Sequence, residues 1–158
     1  MTNQPSILNQ LSQGRPDLKR EDCIERESKC KLVIDVNHPR VIMDGNKLAG
    51  DDYPVCDCLI FIEHSGLEVV VAECKDKIRD AGHAINQLSN GWLEVEKMIS
   101  KCDPCPKKLE CYAIILTNHW NRKVDKTRAR RAKIRMRGKR SITLGKCGEK
   151  LSKLIPDV

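Results

Sequence analysis

Apolar residues recur at helical spacing over one long stretch. Ala81, Ala84, Ile85, Leu88, Trp92, Val95 and Ile99 form a single stripe, so the pattern predicts a helix packed on a sheet. Strand patterns lie on both sides of it. Lys31–Asn37 alternates and is β-branched, with Val41, Ile42 and Met43 extending it or pairing with it. Val55–Glu63 and Leu67–Lys75 flank the turn His64, Ser65, Gly66 and read as a β-hairpin. Cys111–Thr117 is continuously apolar, as a central strand covered on both faces should be. Three weaker elements complete the pattern: a charged first helix over Pro16–Ser28, a basic helix over Asp125–Arg137 stopped by Gly138, and a short strand Ser141–Leu144. The predicted order is αβββαβαβ, an α/β fold with a mixed sheet flanked by helices.

Composition narrows the class. With 158 residues, 40% of them hydrophobic and 32% charged, residues 1–158 are expected to form one domain with its own core. No apolar run approaches the roughly 18 residues of a membrane span, and the first ten residues lack a secretory pattern. A cytoplasmic protein is therefore expected. The net charge of +7 is unevenly placed: Arg122–Arg140 holds eleven Lys or Arg against Asp125, a local charge of +10 that leaves −3 for the rest. Such a segment repels itself unless an anion offsets it, and a phosphate backbone is the expected anion. Arg122, Lys123, Lys126, Arg128, Arg131 and Arg135 are its candidate nucleic-acid contacts.

Nine cysteines without a secretory signal point to thiols and metal ligation instead of a disulfide framework. Cys102, Cys105 and Cys111 are spaced C-x2-C-x5-C, a cysteine metal knuckle suited to zinc or an iron–sulfur cluster. Cys56, Cys58 and Cys74 fall in strand-like runs, where cysteine packs as a small hydrophobe.

The hairpin carries the more specific chemistry. A turn centred on Ser65 sets Asp57 opposite Glu73, with Cβ atoms about 4.5–5.5 Å apart and Lys75 on the same side of the sheet. Two carboxylates so placed repel unless a cation lies between them. Oxygen ligands suit Mg²⁺ or Mn²⁺, to which the backbone carbonyl of Cys74 could add a ligand.

Asp57, fifteen intervening residues, then Glu73, Cys74 and Lys75 resembles the signature of the PD-(D/E)XK nucleases, the restriction-endonuclease-like fold. Pro54 stands three residues before Asp57, so the family's Pro-Asp half is present with two residues inserted. The resemblance covers about residues 16–145 and implies Mg²⁺-dependent hydrolysis of DNA phosphodiesters. Asp57 and Glu73 would bind the metal, Lys75 would position the attacking water, and Gln87 is similar to a glutamine near the active site in some branches. Glu21 and Glu25 are candidates for a further acid on the first helix. One branch carries a four-cysteine iron–sulfur cluster with a similar C-x2-C-x5-C half, but placed later in the domain, so zinc ranks ahead of iron–sulfur here. In such a meander the strand after Cys30 starts at the hairpin tip, where the long helix delivers Cys102, so Cys30 is the expected fourth ligand, with His64 as runner-up. Three functions fit: a DNA nuclease, a non-catalytic zinc-clipped nucleic-acid-binding module, or a DNA-binding subunit of a partner enzyme. Cutting both strands would favour a homodimer. Five aromatic residues leave few platforms for RNA bases.

Overall fold

The computed structural model describes residues 6–158. Its first half contains α1 (Ile7–Gly14), β1 (Lys19–Arg20), β2 (Cys23–Ile24), β3 (Lys31–Leu32), β4 (Arg40–Asp44), β5 (Cys58–Glu63), β6 (Leu67–Cys74) and β7 (Lys77–Ile78). There follow α2 (Ala81–Ser100), β8 (Leu109–Leu116), β9 (His119–Trp120), α3 (Lys123–Arg131), β10 (Lys133–Arg135), β11 (Lys139–Gly145) and α4 (Leu151–Leu154). Seven strands form one mixed sheet in the order β1-β4-β5-β6-β8-β11-β10. Two small ribbons, β2-β3 and β7-β9, stand apart from it.

Strands β4, β5 and β6 form an antiparallel meander, and β6 then pairs in parallel with β8 across the α2 crossover. All eight residues of β6 are buried, because the sheet is covered on both faces. On one face Leu59, Phe61, Val69, Val71 and Ile115 meet the α2 stripe of Ala84, Leu88, Trp92 and Val95. On the other, Ile60, Val70, Ala72 and Ile114 meet Leu32 from β3 with Leu151 and Ile155 from the C-terminal segment. This two-sided burial explains why β5 and β6 read as nearly unbroken apolar runs. The α2 helix spans the predicted stripe, and the Asp80 carboxylate caps it by accepting from the Gly82 N–H.

Three sequence expectations are corrected. No helix occupies Pro16–Ser28: a 3-10 turn at Pro16–Leu18 leads into β1 and β2. That stretch has no helical apolar stripe to bury, whereas α1 has one in Leu8 and Leu11 and a cap from Ser6. The first meander strand is β4, not Lys31–Asn37. Only Lys31 and Leu32 are in a strand, and the next residues pair with the C-terminal segment through Val33 N–H to Glu149 O and Leu151 N–H to Val33 O. The basic helix ends at Arg131, beyond which Ile134 and Met136 are buried between exposed Lys133, Arg135 and Arg137. That period of two is a strand pattern, and Gly138, at φ +118°, sits in the β10-β11 turn.

The cysteines depart furthest from expectation. Cys23 is bonded to Cys58 and Cys30 to Cys147, leaving Cys56, Cys74, Cys102, Cys105 and Cys111 free. Disulfides belong to oxidising surroundings, so the thiol count no longer supports a cytoplasmic setting. Among the described residues no helix is long and apolar enough to cross a membrane.

The Cys30–Cys147 bond joins residues 117 apart in sequence. Cys147→Ser is expected to lower the free energy of unfolding by about 2–5 kcal/mol in urea titration. Alkylation of the denatured, unreduced protein should label five of the nine cysteines.

Candidate functional site

Asp57 and Glu73 lie at the mouth of the meander, just before β5 and at the end of β6. The register Cys58↔Ala72 carries one step further to bring them face to face. Both are nearly buried, at 4% and 2% exposure. They are also interlocked through the backbone. The Asp57 N–H donates to Glu73 Oε1 at 3.1 Å, and the Cys74 N–H donates to Asp57 Oδ2 at 2.9 Å. Burial, followed by the neighbouring Asp57 charge and the hydrogen bond between the two side chains, raises the Glu73 carboxyl well above the usual range.

A cavity of about 580 Å³ begins at Lys75, two residues beyond Glu73. Lys75, Lys77, Arg79, Asp80, His83 and Gln87 are among its lining residues. Gln87 sits on α2, its backbone carbonyl accepting from the Cys56 N–H at 3.1 Å, and its buried Oε1 has no hydrogen-bond partner among the described residues. A buried acceptor left without a protein donor is open to a water or a cation. Among the described residues no three His, Cys, Asp or Glu side chains are gathered to hold a metal. A divalent ion here would complete its shell with backbone, water and substrate oxygens, as Mg²⁺ commonly does.

Sequence reasoning missed two supporting residues. The Asn46 side chain donates to Asp57 Oδ1 at 3.0 Å, and the Asn46 N–H is held by Asp44. Gly45 makes this possible, because a Cβ there would stand 1.8 Å from the Cys56 carbonyl oxygen. Buried Asp44 lies 3.8 Å from the Arg20 guanidinium, tying the loop to β1. Asp125, the one acid of the basic segment, accepts from the Ala81 N–H at the start of α2 and from Arg122 at 2.8 Å. It thereby docks α3 at the cavity rim, with the Arg128 guanidinium 3.0 Å from where a Gly82 Cβ would stand. The Asp44–Gly45–Asn46 turn and the lone acid among cations were the available signals. Neither has a period to reveal its partner.

Of the other nucleic-acid candidates, Lys123, Lys126, Arg131 and Arg135 are exposed, the last on β10 instead of a helix. Glu21 and Glu25 are on no helix; against the cost of burial, the Ser28 hydroxyl and then the Ser28 and Glu27 N–H groups donate to Glu25, closing a local turn and lowering its carboxyl pKa.

The cysteine set is not assembled as expected. Cys102 and Cys111 are buried in the helix-side core, where burial pushes the Cys111 thiol up to about 11, and Cys105 is exposed. Cys30 lies at the other end of the sheet, with its Sγ 3.7 Å from the Leu116 carbonyl and bonded to Cys147. The expected placement fails because Lys31 and Leu32 do not form the meander strand. His64 stacks on His38 and lies 3.6 Å from Glu68. Cys58 and Cys74 flank the acid pair on the opposite face, and the Cys74 Sγ is 3.9 Å from that of Cys23.

Compared with protein families, curated proteins and solved structures, the chain matches none.

The raised Glu73 pKa sets a pH signature for the metal-free protein. Its contribution is fully present below the unfolded carboxyl pKa and is lost as pH rises through the folded value. Thermal unfolding should therefore show stability falling as pH is raised above about 4.5. Glu73→Gln should flatten that dependence and reduce the stabilisation by added Mg²⁺, which in the native protein should grow with pH.

Proposed function

We propose that the protein is a metal-dependent nuclease hydrolysing DNA phosphodiester bonds, with the PD-(D/E)XK pattern resembled by Asp57, Glu73 and Lys75. The observation that carries this reading is the buried, cross-strand pair of acids, with Lys75 just beyond Glu73 at the wall of a cavity rimmed by cations. Burying two carboxylates side by side is costly for folding, and a bound divalent ion offsets that cost.

Asp57 and Glu73 would hold Mg²⁺ or Mn²⁺, with Cys74 offering its carbonyl. The ion, when bound, would act as a Lewis acid on the scissile phosphate and lower the pKa of a coordinated water. Asn46 and the Cys74 N–H each fix one Asp57 oxygen, so that carboxylate is oriented before substrate arrives. The Lys75 ammonium, at the cavity wall, would orient the attacking water and stabilise the charge building on phosphorus. Water adds at phosphorus and gives up a proton to solvent, the bond to the leaving oxygen breaks, and that oxygen takes up a proton from solvent. Gln87 would accept a hydrogen bond from the attacking or a neighbouring water. Docked at the same rim, α3 would supply the phosphate-binding charge.

Linear, circular, branched and single-stranded DNA incubated with Mg²⁺, Mn²⁺ or EDTA test this reading. Cleavage should need the divalent ion, and Lys75→Ala or Asp57→Asn should each reduce it at least 100-fold while the protein remains folded by circular dichroism. Cleavage that persists in both variants, or in EDTA, would refute the assignment. Tight, salt-sensitive binding without any turnover would instead leave a nucleic-acid-binding module.

A further inference from the structure

The turn end of the β5-β6 hairpin carries a second group of acids, about 17 Å along β6 from Glu73. Glu68 pairs in register with Glu110 on β8, so their side chains leave neighbouring strands on the same face of the sheet. Tyr112, two residues on along β8, shares that face, and Asp157 reaches it from the C-terminal segment. These four residues are part of the wall of a cavity of about 290 Å³.

Glu68 sets this group apart from an ordinary acidic surface. It is only 6% exposed, and its Oε2 has no hydrogen-bond partner among the described residues. The His64 imidazole stands 3.6 Å from the other oxygen, beyond hydrogen-bond length. Among the described residues neither Glu110 nor Asp157 is in an ion pair. Lys108, the lysine on the cavity wall, turns its ammonium to Ser65 Oγ at 3.4 Å. Burial, then the charges of Glu68, Glu110 and Asp157, raise the Tyr112 hydroxyl pKa, with Arg140 opposing them, so three acids act on one point. A nearly buried carboxylate in such company is costly unless a cation with donors reaches it.

We infer that this cavity binds a guanidinium group, with the Glu68 and Glu110 carboxylates as its acceptors and the Tyr112 hydroxyl as a third. The inference goes beyond the nuclease reading and does not depend on it. A bare metal ion is disfavoured, because it needs several ligand atoms close together and no three such side chains are gathered among the described residues. A guanidinium is planar and keeps its charge, and its N–H donors point along several edges. One group therefore spans two carboxylates on strands about 4.8 Å apart. It is more weakly hydrated than an ammonium, which favours it at a nearly buried acid, and it stacks on aromatic rings such as that of Tyr112. The terminal torsion of a glutamate is broad, so the unpartnered Glu68 oxygen turns toward the ligand at little cost.

NMR titration of the full-length protein with N-acetyl-arginine amide tests this, beside the lysine and citrulline analogues and free L-arginine. The arginine amide should bind saturably and move the backbone resonances of Glu68, Glu110 and Tyr112, while those of Asp57 and Glu73 stay in place. The lysine analogue should bind about fivefold more weakly, and the neutral citrulline analogue should not bind. Glu68→Gln should weaken binding about tenfold, and Glu110→Gln, at a half-buried position that tolerates the change, about threefold. No saturation by about 10 mM arginine amide would overturn the inference. So would equal binding of the lysine analogue, native affinity in both variants, or shifts confined to the Asp57 end. Tighter binding of the amide than of free L-arginine assigns the group to an arginine side chain of another polypeptide, and the reverse order assigns it to a small molecule. DNA cleavage is read in neither arm, so success or failure here leaves the nuclease reading to its own test.

Discussion

Two carboxylates buried face to face at the open end of a hairpin are an electrostatic liability, and much of the surrounding structure is arranged around them. Asp57 and Glu73 are positioned by the β5-β6 register, and their oxygens accept from the backbone N–H groups of Asp57 and Cys74. The β6-β8 pairing continues to the Cys74↔Leu116 step, and the Lys75 N–H bonds the Leu116 carbonyl, so the strand end bearing both acid and lysine is held on each side. Burial makes every hydrogen bond there count for more and leaves Glu73 favouring its protonated form. A cation bound there, as proposed, would displace that proton and so couple metal affinity, pH and stability.

The cavity is basic because Lys75, Lys77 and Arg79 follow the end of β6 in sequence, while Arg128 stands over Gly82 at the start of α2, its helix anchored by one buried acid. Asp125 therefore matters far more than its single charge suggests. It caps a helix to which it is not connected in sequence, and thereby sets where a cation-rich element starts. The same end of the sheet gathers five of the nine cysteines on its other face. The Cys30–Cys147 bond closes the C-terminal segment over that end, where the Cys147 Sγ lies 3.8 Å from the Lys75 carbonyl.

Legibility followed the range of the interactions. The α2 stripe, the central β8 run and the hairpin were readable because one buried face imposes a local period, and a hairpin's register follows from its turn. Asp57, Glu73 and Lys75 could be aligned on that basis alone. The N-terminal third was misread because Lys31–Asn37 has a strand-like pattern yet bonds mainly with the C-terminal segment, 117 residues away at Val33 and Lys150. The basic segment was misread because its charge obscured a change of period, from helical spacing up to Arg131 to alternation about Ile134 and Met136.

By itself the sequence determined a mixed α/β chain, the pairing of two acids across one hairpin, the long amphipathic helix behind them, and the concentration of positive charge in nineteen residues. Only the tertiary structure decided which cysteines meet, that Asn46 supports the acid pair, and that Asp125 docks the basic helix against the start of α2. The physical reason is that periodicity and turn chemistry act over a few residues. Disulfide partners and a helix cap supplied by a distant element depend on where the whole chain brings its segments together.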